Sequence, residues 1–140
     1  MEREAIFNHC VVARSVFEKH SARYGSLFET FPKGTCGNVS DLLGIWLSQQ
    51  NAVGIQCVSG SRFTKGALQT HAWLEVDDTV IDITSDQFQD GLGPVYFGER
   101  CQFYESFKSQ QKIPLPHTYF DIGVLRKFVH DMQTQVENLA

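Results

Sequence analysis

The residues Thr70-His71-Ala72-Trp73-Leu74-Glu75-Val76-Asp77-Asp78-Thr79-Val80-Ile81-Asp82-Ile83-Thr84 read as two strands around a turn. The first half is strand-like, the second is rich in β-branched residues, and the acidic pair Asp77-Asp78 separates them as a turn. With a two-residue turn, Val76 pairs with Thr79, Trp73 with Asp82 and His71 with Thr84, so His71 and Asp82 lie diagonally on one face. Asp86 is the other diagonal neighbour of His71 but falls just past the strand. A one-residue change in the turn would carry both acids to the opposite face. Helical periodicity on either side of this hairpin makes the expected class α+β, with helices on an antiparallel sheet.

Upstream stands Phe31-Pro32-Lys33-Gly34-Thr35-Cys36-Gly37-Asn38-Val39-Ser40-Asp41-Leu42-Leu43. Two glycines and a proline make a polar loop, after which Val39, Leu42, Leu43, Trp46 and Leu47 recur at helical spacing. Cys36 therefore falls at a helix start, with Thr35 as N-cap, among unpaired N–H groups at the positive end of the helix dipole. That site favours the thiolate. For this cysteine on its own the alternative is a buried, inert side chain.

Further out, Ala5, Ile6, Val12, Ala13, Val16 and Phe17 predict an amphipathic helix from about Arg3 to Lys19. Tyr24–Thr35 reads as a loop tethered by Leu27, Phe28 and Phe31. The second helix is expected to run from Cys36 to about Gln50, followed by a strand Gly54–Ser59 and an exposed connection Gly60–Gly66 carrying Arg62 and Lys65, read as a solvated loop with the border of a substrate groove as the alternative. Val95-Tyr96-Phe97 is a short strand, and Cys101–Phe107 carries no decisive pattern. Pro114 and Pro116 mark a loop. Asp121 caps a last helix with Ile122, Leu125, Phe128, Val129, Met132, Val136 and Leu139 at helical spacing, expected to cover one face of the sheet. Trp73 reads as core or cleft wall, Glu75 as a solvated strand residue with lining the site on the His71 face as the alternative, and His20, His117 and His130 as surface or packing histidines without acidic neighbours.

The chain has 140 residues, 42% of them hydrophobic, with eleven Phe. It reads as one domain, 1–140, able to bury about two-thirds of its unfolded surface. Cys10, Cys36, Cys57 and Cys101 are widely spaced with no CxxC pair, and Met1-Glu2-Arg3-Glu4 has no signal-peptide pattern, so a cytoplasmic, reducing setting is expected. The net charge of -4 and the absence of a long apolar run argue against nucleic-acid and membrane partners and for a small-molecule or polypeptide substrate.

A cysteine at a helix start, a histidine on a strand and an aspartate on the paired strand each have a task. Cys36 would attack a carbonyl carbon, His71 would move its proton, and Asp82 would hold the imidazole tautomer. The Cys36 N–H is one candidate oxyanion donor. The same three side chains are also a chemically possible zinc set.

On these residues the chain resembles the transglutaminase-like superfamily of papain-fold cysteine enzymes. Gly34-Thr35-Cys36-Gly37 is similar to its nucleophile motif, His71–Val76 to its histidine strand, and Asp82-Ile83-Thr84 to its Asp-Pro-Thr element with Ile83 in place of proline. The matches span about Phe31 to Phe88 and are strongest toward short bacterial members and the leader-peptide peptidase domain of lasso-peptide maturation. The resemblance implies a papain-like core, a catalytic set Cys36, His71 and Asp82 in preference to Asp86, and no cofactor or metal. It implies a cysteine peptidase or amidase working on a peptide or glutamine amide through a thioester. Acyl transfer to an amine, as in transglutaminases, and a silent binding module of the same fold are the competing functions.

Overall fold

Helix α1 (Arg3–His20) turns one face inward through Ile6, Cys10, Ala13, Val16 and Phe17, the spacing of a helical stripe. Helix α2 (Cys36–Gln49) buries nearly its whole circumference from Leu42 to Leu47, since it lies between α1 and the sheet. Gly44 sets that closeness: a Cβ there would collide with Leu115 and come within 3.2 Å of Leu74 Cδ2. This computed structural model describes residues 1–138. Among them no helix is long and apolar enough to cross a membrane.

Strands β1 (Ile55–Thr64), β2 (Ala67–Val76), β3 (Thr79–Asp82), β4 (Tyr96–Glu99) and β5 (Lys108–Pro114) form one antiparallel sheet in the order β4-β3-β2-β1-β5. The class is α+β. The β2–β3 register, Val76 with Thr79 and Leu74 with Ile81, is the expected one, and the ladder opens before His71 is reached.

Two expectations about strands fail. The stretch Gly60–Gly66 is not an exposed connection: β1 continues to Thr64, and Lys65-Gly66 alone makes the turn, with φ of 52° and 76°. Two left-handed residues are what a tight hairpin with right-handed strand twist requires. The prolines near 114 do not mark only a loop, because β5 is an edge strand and tolerates Pro114 at its end.

Each sheet face has its own core. Leu74, Ile81, Ile55 and Ile83 face α1 and α2. Val58, Trp73 and Val80 face Phe103, Tyr104 and Phe107, carried by and beside the short helix α3 (Gln102–Glu105) within the unassigned segment. Helix α4 (Ile122–Glu137) is capped by Asp121, whose Oδ1 accepts from Val124 N at 3.1 Å. It does not cover the sheet. It packs chiefly on α1, with Phe128 stacked on Phe17 at 4.8 Å between centroids. Ile122 is exposed, as is Leu27 of the expected tether, whereas Phe28 is buried; Leu139 lies outside the described residues.

Candidate active site

Cys36 is the first residue of α2, and Val39 N donating to Thr35 O at 2.9 Å is the first helical bond. The amides of Cys36, Gly37 and Asn38 thus have no helical partner. Thr35 does not cap them, contrary to expectation: its hydroxyl turns back to donate to Pro32 O at 3.2 Å. The helix start is instead pinned across the sheet. Ser40 Oγ donates to Ala72 O at 3.3 Å, and the Ala72 N–H favours the Cys36 thiolate. Both main-chain groups of Ala72 are open to α2 because β3 no longer pairs with β2 there.

His71 is buried, with Nε2 2.6 Å from Asp82 Oδ2. Its ring is walled by Phe88, Trp73, Phe107 and Phe103, at centroid distances of 5.0 to 5.9 Å. Asp82 is 2% exposed and fully engaged. Oδ1 accepts from Thr84 N at 3.0 Å and Thr84 Oγ1 at 3.3 Å, and Oδ2 accepts from Tyr104 OH at 2.8 Å as well as facing His71.

With Nε2 held by Asp82, Nδ1 is the nitrogen left for the thiol. Burial works to lower the His71 pKa, but Asp82 and then Cys36 outweigh it and raise it from 6.5 to about 9. Burial likewise pushes the Cys36 thiol up, yet His71 and the Ala72 N–H outweigh it and bring the thiol below its ordinary value. The pair favours thiolate and imidazolium. Burial alone pushes the Cys10 thiol up to about 12, and burial with Asp41 and Cys36 does the same to Cys57. All four cysteines are free.

Asp86 is elsewhere: its Oδ1 accepts from Arg14 at 2.7 Å. His117 has an acidic neighbour after all, Asp41, at 3.2 Å. Glu75 is not solvated but buried, accepting from Trp73 Nε1 at 2.8 Å and paired with Arg100 and Lys112.

Three contributors were not read from the sequence as parts of the catalytic set. Tyr104 reaches Asp82 from α3. Gln87 accepts from Gly34 N at 3.2 Å and sets its Nε2 3.5 Å from His71 Nδ1, tying the loop before Cys36 to the ring. Arg62 lies over Phe107, Phe88 and Phe103 at 4.3 to 5.3 Å and hydrogen bonds to Gln69, Asp90 and Ser106, clamping the aromatic wall.

A groove of about 470 Å³ opens over the thiol, lined by Cys36, His71, Ser59, Ser61, Thr70 and Gln111 among others. Among the described residues no group of three or more His, Cys, Asp or Glu is placed to hold a metal ion. Fold and site together describe an α+β protein with a cysteine, a histidine and an aspartate aligned beneath a neutral, hydroxyl-lined groove. Comparisons with protein-family models, with curated proteins and with solved structures each return no match.

Proposed function

We propose that the chain is a cysteine-dependent hydrolase, a peptidase or amidase that cleaves a peptide bond or glutamine amide through a thioester. One observation carries the reading: a buried His71–Asp82 pair at 2.6 Å in which Asp82 raises the pKa of the imidazole and the imidazole lowers that of Cys36, at the floor of an open groove. The order of cysteine helix, histidine strand and aspartate strand supports a papain-like, transglutaminase-like core. Four free cysteines support work in a reducing compartment such as the cytoplasm.

The Cys36 thiolate attacks the carbonyl carbon and forms a C–S bond, while the unpaired N–H of Cys36 donates to the developing oxyanion. The His71 imidazolium gives its proton to the nitrogen as the C–N bond breaks, and the amine leaves. Water then loses a proton to His71 and attacks the thioester, the C–S bond breaks, and the acid leaves with the Cys36 thiolate and His71 imidazolium restored. Asp82 holds the ring through Nε2 so that Nδ1 faces the sulfur.

Intact mass after incubation with an electrophilic peptide probe tests the reading. One adduct on wild type and none on Cys36→Ala is expected; an unmodified wild-type protein contradicts it. Product mass with an added amine separates hydrolysis from acyl transfer.

A further inference from the structure

The β1–β2 hairpin runs past the body of the sheet. β5 follows β1 only as far as the Ser61–Lys108 pair, and β3 follows β2 only from Leu74 to Val76. Residues 67–71 of β2 therefore form an open edge, since α2 already engages Ala72. Main-chain groups along a strand point alternately to the two sides. Since Ala72 O faces Ser40 rather than β1, the N–H and C=O of Thr70 and Leu68 also point off this edge, and among the described residues no backbone outside the hairpin meets them.

One face of the hairpin continues the groove floor. Ala72, Thr70 and Leu68 stand opposite Ser59, Ser61 and Phe63. At its far end Phe63 is 79% and Leu68 58% exposed, two large apolar side chains that neither core uses. The surrounding charge is one-sided. In a chain of net charge -4, the stretches 59–70 and 107–114 contain Arg62, Lys65, Lys108 and Lys112 and no Asp or Glu. Arg62 pairs with Asp90 and Lys112 with Glu75, whereas Lys65 and Lys108 make no ion pair among the described residues.

We propose that this arm docks an extended segment of a peptide substrate. The segment lies along the open edge of β2, seats an apolar side chain against Phe63 and Leu68, and sets an acidic residue beside Lys65 at the hairpin tip. Main-chain bonds supply affinity, and the apolar anchor supplies selection. At ~3.4 Å per residue, Leu68 is about 14 Å along the strand from Ala72, so the anchor lies about four positions from the carbonyl that reaches Cys36. The inference rests on the peptidase reading above.

The test is selection of random phage-displayed peptides on full-length Cys36→Ala, which cannot turn them over, followed by fluorescence anisotropy with a synthetic copy of an enriched peptide. Expected are peptides pairing an apolar with an acidic residue, bound about tenfold or more weakly when Phe63→Ser and Leu68→Ser are added, and more weakly with Lys65→Glu. Thermal melting checks that each variant is folded. No enriched peptide, equal binding by folded variants, or concentration-dependent dimerisation of wild type through Phe63 and Leu68 overturns the proposal. Iodoacetamide labelling of Cys36 in wild type reports separately on the nucleophile, so docking can fail while the catalytic reading stands, and the reverse.

Discussion

Tyr104 donates its hydroxyl at 2.8 Å to Oδ2 of Asp82, the same oxygen that faces His71 Nε2 at 2.6 Å. Tyr104 is fully buried, so this hydroxyl draws on the carboxylate that steadies the imidazolium. Removing the donor leaves the whole of the carboxylate's charge to the imidazolium and so favours protonated His71. Tyr104→Phe is expected to fold, to lose about 1–2 kcal/mol of stability, and to raise the His71 pKa further, read by NMR titration of the ring. An unchanged His71 titration in the folded variant would show that Tyr104 only packs.

Asp82 and Asp86 separate cleanly. Asp82→Asn keeps the shape but removes the charge that raises His71, so turnover is expected to fall by about four orders of magnitude, with a lower His71 pKa. Asp86→Asn breaks an ion pair with Arg14 and is expected to cost about 1 kcal/mol or less while leaving turnover in place. Kinetics and melting of the two variants check this, and the opposite ranking counts against the site.

Asp131 gives a pH prediction remote from the site. Burial raises its pKa, but hydrogen bonds from Arg23 and Tyr24 outweigh burial and bring it below 3.8. A depressed carboxylate stabilises the fold above its unfolded pKa, and that contribution is lost as pH falls through the folded value. Tyr24→Phe removes a 2.6 Å bond and is expected to cost about 2 kcal/mol at neutral pH. The gap from wild type should shrink below about pH 4 in urea titrations.

Much of this site was legible locally. The β-branched run and the register of a two-residue acidic turn placed His71 and Asp82 on one face, and the loop-to-helix change placed Cys36 at a helix start. What stayed hidden depends on distant contacts. Tyr104 sits on a four-residue helix with no periodicity, and its only mark is its partner, 22 residues away. Arg62 looked like a solvated loop cation because Ser59-Gly60-Ser61 carries no apolar alternation, although the chain there is strand and the guanidinium is stacked on three rings. Glu75 looked solvated because strand alternation cannot tell a watery face from one that α3 covers.

Iodoacetamide labelling of the four cysteines as a function of pH, resolved by peptide mass, addresses the paired thiolate most directly. His71 stays protonated up to about 9 and holds the Cys36 thiol below its ordinary value, while Cys10 and Cys57 are pushed up to about 12. Below neutral pH, Cys36 should be labelled well before those two, and the preference should vanish in a folded His71→Ala variant. Equal labelling of Cys36 and Cys57 at pH 6, or a preference that survives loss of His71, would contradict the pair.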